Sequence, residues 1–184
     1  MQDYTEFIDE VLVSAETIEK RVAELGAQIS RDYAGQELLV VCLLRGGLTF
    51  TADLTRFLTI PHTLDCMSLS SYGVGHYASS GNVRVNLDLM TNIEDMNVLL
   101  VEDIVDSGRT LAHVLQMLKT REPKSLKVCV LLDKKYRREV PVEVDYVGFD
   151  VPDKYVFGYG IDIDEHFRHL RFIASADLTK YRKT

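Results

Sequence analysis

A buried strand that runs straight into carboxylates and then into a helix start constrains this chain more than any other feature. The stretch is NVLLVEDIVDSGRTL, Asn97 to Leu111. Its apolar run over Asn97–Val101 reads as a strand, and Leu111, Val114, Leu115 and Leu118 repeat at helical spacing up to about Arg121. The same alternation recurs elsewhere. LLVVCLL (Leu38 to Leu44) breaks abruptly at Arg45-Gly46-Gly47, and helical spacing resumes from Gly47 to Leu58. SLKVCVLLD (Ser125 to Asp133) and Glu143 to Phe149 are further strands, separated by the basic KKYRRE run. A helix is predicted over Ser14 to Tyr33 from Ile18, Val22, Leu25 and Ile29 on one face, with Ser14 as N-cap. Strands alternating with helices predict an α/β fold with a central, mainly parallel sheet flanked by helices.

The remaining segments are less regular. Thr63 to Leu69 is a candidate strand and Val83 to Leu89 its returning arm. Between them SSYGVGHYASSGN, Ser71 to Asn82, is Ser/Gly-rich without periodicity, a flexible loop and candidate lid. From Pro152 to Leu170 short aromatic pieces punctuated by glycine suggest a small cap beside the sheet, and the polar tail from Asp177 is expected to fray. At 184 residues one domain is expected, residues 1–184.

Charge and cysteine usage narrow the function classes. Lys and Arg number 21 against 28 Asp and Glu, a net charge of -7 that argues against non-specific nucleic-acid or anionic-membrane binding. Cys42, Cys66 and Cys129 sit in apolar surroundings at irregular spacing, expected as buried, reduced thiols rather than metal ligands. The five histidines show no metal spacing. The acidic start MQDYTEFIDE lacks a signal-peptide pattern, and the apolar run Leu38 to Leu44 is too short to span a bilayer, so a cytoplasmic location is expected.

The chemistry concentrates where the Asn97 strand ends. Glu102, Asp103 and Asp106 cannot be core residues without partners. In parallel sheets ligands collect at the carboxyl ends of strands, and DSGRT at a helix start offers unpaired N–H groups plus the Ser107 and Thr110 hydroxyls, a cradle suited to a phosphate monoester. Carboxylates beside such a cradle suit vicinal hydroxyls or a divalent metal, and a phosphorylated sugar satisfies both halves. Spacing alone leaves open that Asp106 is simply a helix N-cap and Glu102-Asp103 a solvated strand end.

VEDIVDSGRTL resembles the phosphoribosyl-diphosphate signature of the type I phosphoribosyltransferases. Together with LLRGG (Leu43 to Gly47), SLSSYG (Ser68 to Gly73), REPKSL (Arg121 to Leu126), LLDK (Leu131 to Lys134), VGFDVPDKYVFGYGIDID (Val147 to Asp164) and FRHL (Phe167 to Leu170), it is similar to the hypoxanthine-guanine phosphoribosyltransferases over nearly the whole chain. That resemblance implies a small hood subdomain built from the N-terminal segment and roughly 150–184. It implies a purine-salvage transferase that moves the phosphoribosyl group to N9 of a 6-oxopurine, releasing pyrophosphate, with Mg2+ as cofactor.

By the same resemblance Asp106 is the general base at purine N7, and Lys134 donates to the exocyclic oxygen at C6. Tyr155 stacks on the purine, the Val156 backbone meets its edge, and Asp162 lies near both the base and the metal. Arg45, Gly46, Glu102, Asp103, Asp106, Ser107, Gly108, Arg109, Thr110 and Arg168 take the phosphoribosyl diphosphate. Glu102, Asp103 and Asp162 are implied as metal contacts, and Ser71 and Tyr72 as the loop that closes. The Arg45-Gly46 peptide is one that can be cis in this family. The implied partners are small molecules, phosphoribosyl diphosphate and oxopurines, with no nucleic acid and no membrane, in a homo-oligomer (dimer or tetramer). Read without it, Lys134 and Lys135 are ordinary solvated charges, Tyr155 a core aromatic, and Asp162-Asp164 a solvated turn. Two other readings use the same fold: a ligand-sensing regulator that binds RNA or DNA, and an enzyme acting on adenine or a pyrimidine. The retained Asp106, Lys134 and Tyr155 speak against the first, and Lys134 with VPDKYVFGYGID against the second.

Overall fold

The computed structural model describes residues 3–71 and 83–182. Six strands form the main sheet: β2 (Leu38–Leu44), β3 (His62–Ser71), β4 (Val83–Leu87), β5 (Asn97–Val105), β6 (Ser125–Asp133) and β7 (Tyr146–Asp150), in the order β4-β3-β2-β5-β6-β7. All neighbours are parallel except the edge strand β4, which runs antiparallel to β3. The centre of β2 and the first half of β5 are buried on both faces, which is why both are continuous apolar runs rather than alternating ones.

Helices cover the two faces. α1 (Ala15–Asp32) and α2 (Gly47–Arg56) lie on one face, where Ile18, Val22, Leu25 and Ile29 pack with Phe50 and Leu54 over Val40, Leu99 and Val101. Ser14 caps α1 by accepting from the Thr17 amide at 3.3 Å. α3 (Arg109–Lys119) covers the other face through Leu111, Val114 and Leu118. Each of these fully buried aliphatic side chains contributes about 1.5–3 kcal/mol.

A second, three-stranded sheet joins distant parts of the chain in the order β1-β9-β8: β1 (Ile8–Val13), β9 (Ile173–Ala176) and β8 (Val156–Phe157). Its core is aromatic. The Phe7 ring lies 5.5 Å from Phe157, 5.3 Å from Phe167 and 5.0 Å from Tyr181, centroid to centroid. The tail expected to fray is tied down over its described residues: the Asp177 amide donates to the Phe7 carbonyl at 2.8 Å, and Tyr181 closes the aromatic cluster. β1 is mostly exposed, and its apolar residues do not alternate with polar ones in the way a half-buried strand requires; pairing with β9 makes it a strand.

Gly158 shows how tightly this sheet is joined. Its φ is +99°, and a Cβ there would sit 2.1 Å from the Phe172 carbonyl oxygen. Gly158→Ala combines left-handed strain of about 1–3 kcal/mol with that collision. The expected result is a melting temperature at least about 5 °C lower in a thermal unfolding scan. An unchanged melting temperature would refute it.

Among the described residues no helix is long and apolar enough to cross a membrane. Cys42 and Cys129 are buried and free, and Cys66 is half-buried rather than fully enclosed as expected. Burial pushes the Cys42 thiol up to about 11.

Candidate active site

The residues singled out above converge because parallel strands end on one side. β2 ends at Leu44 and delivers Arg45-Gly46; β5 ends at Val105 and delivers Asp106 to Thr110. β6 ends at Asp133 and delivers Lys134, and β7 ends at Asp150 just before Asp153, Tyr155 and Val156. This is the carboxyl edge at which α/β sheets bind ligands.

The turn after β5 is built for an anion. Gly108 is the residue before α3, with φ +83°, and no side chain caps the helix, so Asp106 is not the N-cap that spacing left open. The first amides of α3 are left pointing out of the helix end. The turn is pinned from outside: the Ser107 carbonyl accepts from the Glu139 amide at 2.9 Å and the Val140 amide at 3.0 Å. A Cβ at Gly108 would lie 2.7 Å from the Val140 carbonyl, so only glycine fits. Arg109 is paired with Glu139 at the rim, and Thr110 is exposed on the first turn of the helix.

Asp106 itself is asymmetric. Oδ2 accepts from Arg137 Nη1 at 3.3 Å, whereas Oδ1 is buried with no hydrogen-bond partner among the described residues. Lys134 is 6% exposed and its amide donates to the Val105 carbonyl at 2.9 Å, which anchors it next to Asp106. Burial holds its ammonium below the ordinary lysine range, opposed by the Asp106 charge.

Glu102 and Asp103 lie within β5, which runs on to Val105 rather than stopping at Val101 as the apolar run suggested. The Asp103 amide donates to Glu102 Oε1 at 3.1 Å. Burial, reinforced by the neighbouring Asp103 charge, raises the Glu102 carboxyl well above its ordinary range. Asp103 meets the Arg45-Gly46 loop directly, since a Cβ at Gly46 would fall 1.8 Å from Asp103 Oδ2. The non-proline cis peptide in that loop is Leu44-Arg45, not the Arg45-Gly46 bond that the resemblance implied.

The far wall comes from the glycine-punctuated segment. Gly160 packs on the Gly46 carbonyl so closely that a Cβ would lie 2.3 Å from it. Arg168 donates to the Gly160 carbonyl at 2.8 Å and pairs with Asp162 at 2.8 Å and Glu165 at 2.9 Å. Arg45 pairs with Glu165 at 3.0 Å, so the two arginines share one carboxylate. Tyr155 is half-buried against the Phe7 cluster, and Val156 is buried in β8, the outer strand of the small sheet, which leaves one side of its backbone without a neighbouring strand.

One expectation is not met as stated, and another falls outside the described residues. Among the described residues no group of three or more His, Cys, Asp or Glu side chains could hold a metal. Glu102 and Asp103 are neighbours, but Asp162 is committed to Arg168 and to the Glu165 amide, so the three do not form one ligand set. The lid residue Tyr72 and the loop to Asn82 lie outside the described residues; Ser71 is the last residue of β3. The sequence reading also misses Arg137, Arg138, Asp153 and Glu165. Arg138 forms a buried ion pair with Asp133 beside Gly108. The signal for Arg137 and Arg138 was the dense basic run KKYRR; Asp153 and Glu165 carried no comparable signal.

Residues 10–166 match the family model for the phosphoribosyl transferase domain. The hypoxanthine phosphoribosyltransferase of Salmonella typhimurium is 47% identical, over 92% of this chain and 96% of its own. A hypoxanthine-guanine phosphoribosyltransferase structure from Bacillus anthracis superposes with a TM-score of 0.86 at 42% identity, covering 92% of this chain and 98% of that one. A hypoxanthine phosphoribosyltransferase structure from Staphylococcus aureus gives 0.91 at 38% identity, covering 96% and 95%. On these matches the chain belongs to the phosphoribosyl transferase domain family, among its hypoxanthine and hypoxanthine-guanine phosphoribosyltransferases.

Proposed function

We propose that this chain is a pentosyltransferase of purine salvage. It moves the 5-phosphoribosyl group of 5-phospho-α-D-ribose 1-diphosphate to N9 of hypoxanthine or guanine, giving IMP or GMP and pyrophosphate. The observation that carries this reading is Asp106 Oδ1, a buried carboxylate oxygen without a partner, set between an anion-binding turn and the buried Lys134.

The residues divide the work. The Ser107 to Thr110 turn takes the 5-phosphate on the amides at the start of α3 and on the Ser107 and Thr110 hydroxyls, the long 3.4 Å bond from the Arg109 amide to Ser107 Oγ giving way to the ligand. Glu102 and Asp103 hold the ribose hydroxyls. Arg45, the Gly46 backbone and Arg168 face the pyrophosphate, whose departure leaves positive charge on the ribose ring. Asp106 Oδ1 accepts the proton from purine N7 as N9 forms the new bond. Lys134 donates to the oxygen at C6, which disfavours adenine because an amino group there presents donors to a donor. Tyr155 stacks on the base, the open side of the β8 backbone at Val156 meets its edge, and Asp162 lies beside it. Ser71 and Tyr72 belong to the loop that closes over the reaction and excludes water.

The paired carboxylates suit a hard divalent ion. Glu102 and Asp103 are adjacent carboxyl groups, a donor set of oxygens that fits Mg2+, which takes one or two carboxylates and fills its shell with water and phosphate oxygens. Glu102 and Asp103 would hold the ion, which would supply charge neutralisation of the pyrophosphate.

The three-stranded sheet acts as a hood over the purine side of a single domain, residues 1–184, in the cytoplasm. The active form is a homo-oligomer, dimer or tetramer. Leu48, 55% exposed beside the Arg45 loop, is an apolar side chain that a second copy would cover.

The test is nucleotide formation from phosphoribosyl diphosphate and Mg2+ with hypoxanthine, guanine, xanthine, adenine and uracil in parallel. Turnover confined to oxopurines is expected; turnover of adenine or uracil, or of nothing, would sink the reading. Lys134→Gln replaces a charged donor by a neutral one, and about 1.5–3 kcal/mol is at stake. Oxopurine kcat/KM should fall about ten- to hundredfold while adenine is unaffected. Unchanged selectivity across the panel would remove Lys134 from the site.

A further inference from the structure

The basic turn after β6 contains an arginine to which the proposed reaction assigns no task. Arg137 Nη1 lies 3.3 Å from Asp106 Oδ2, and Nε lies 3.2 Å from Asp153 Oδ1. These two carboxylates belong to separate segments: Asp106 follows β5, and Asp153 stands two residues before Tyr155. The Arg137 amide donates to the Lys134 carbonyl at 3.0 Å, so the guanidinium is placed relative to Lys134 as well. Arg137 thus joins the segments that carry Asp106 and Asp153 through its side chain and the segment that carries Lys134 through its backbone amide.

We propose that Arg137 is a positioning residue for the purine: by occupying Asp106 Oδ2 and Asp153 Oδ1 together, it aims Asp106 Oδ1 at the base and ties it to the strap that carries Tyr155. This inference rests on the reaction proposed above. Three features of the geometry support it. A carboxylate rotates about its terminal torsion, which is broad and two-fold, so an unheld Asp106 would present either oxygen. Holding Oδ2 leaves Oδ1 as the acceptor, and it is Oδ1 that is buried without a partner. Lys134, buried and close enough for its charge to feel Asp106, would otherwise be drawn onto Oδ2, which would remove the proton acceptor and the C6-oxygen donor at one stroke. Arg137 already fills that position.

The role is separable from stability. The side chains of Arg137, Asp106 and Asp153 are 51%, 44% and 57% exposed, and ion pairs of that exposure contribute little to folding. Loss of Arg137 should therefore move kinetics and not the melting temperature.

The test is steady-state kinetics on wild type, Arg137→Ala, Arg137→Lys, Asp153→Asn and the Arg137→Ala/Asp153→Asn double variant, varying purine and sugar diphosphate separately. For Arg137→Ala, purine kcat/KM should fall about tenfold or more, while the KM for phosphoribosyl diphosphate stays within about twofold. Asp153→Asn should move the same quantity in the same direction by less. Because Asp153 acts through Arg137, the double variant should match Arg137→Ala alone. Arg137→Lys, which keeps the charge but cannot bridge both carboxylates, should recover part of the loss. Unchanged purine kcat/KM, an equal rise in the sugar-diphosphate KM, or an additive double variant would each overturn the assignment. With wild type active on oxopurines such a result refutes Arg137 alone; wild type inactive on every base overturns both the reaction and this role.

Discussion

Asp106→Asn is expected to lower turnover by about 10²- to 10⁴-fold, the range over which a positioned base accelerates proton transfer. The amide keeps the size of the side chain but places a donor or a weak neutral acceptor where Oδ1 now stands. Phosphoribosyl-diphosphate KM should change little, because the proposed function assigns that ligand to the 107–110 turn and to Glu102 and Asp103 rather than to the Asp106 carboxylate. Stability should not fall. Asp106 meets Arg137 only through a half-exposed pair, whereas its buried, unpartnered Oδ1 carries a desolvation cost of about 1–3 kcal/mol that a neutral amide reduces. A variant that is inactive, binds the sugar diphosphate and melts no lower than wild type is the combined expectation. Retained turnover would remove the base assignment, and a collapse in melting temperature would recast Asp106 as structural.

Asp133→Ala is expected to have the largest effect on stability. Asp133 is 4% exposed at the end of β6, and its carboxylate is the ion-pair partner of Arg138, whose side chain is 17% exposed. Two Arg138 donors, Nε and Nη1, are already buried without partners. Removing the carboxylate leaves that guanidinium uncompensated in a poorly solvated position, a loss of about 3–5 kcal/mol. For a chain of this size that corresponds to a melting temperature about 6–20 °C lower. Replacing both partners by apolar residues, Asp133→Leu with Arg138→Met, should recover much of the loss, since the pair's own desolvation disappears with it. Equal damage in the single and double variants would show that packing, not charge, governs the site. Because Arg138 also packs against Gly108 and Asp133 precedes Lys134, activity should fall with Asp133→Ala even below its melting temperature.

The division between sequence and tertiary structure follows from the range of the interactions. β2, β5, β6, α1, α2 and α3 were legible because each is set by neighbours a few residues away: apolar runs for strands buried on both faces, and a repeating stripe with a capping Ser14 for α1. The site's chemistry was legible for the same reason, since Glu102 to Thr110 is one continuous strand–turn–helix whose polar atoms have to lie at the sheet's carboxyl edge.

What the sequence by itself determined was therefore the parallel sheet and the polar strand–turn–helix at its edge. Only the tertiary structure decided the rest. The pairing of Ile8 with Ala176 joins opposite ends of the chain and makes strands of segments that have little strand pattern of their own. The approach of Gly46 to Asp103 and of Arg137 to Asp106 depends on the order of strands in the sheet, which periodicity within any single strand does not encode. The extent of β5 past Val101 was missed because polar residues at a strand end look like a loop until the hydrogen bonds to β6 are formed. Contacts between segments far apart in the chain arise only once the sheet has assembled, and at this site they set which oxygen of Asp106 is paired and which is left without a partner among the described residues.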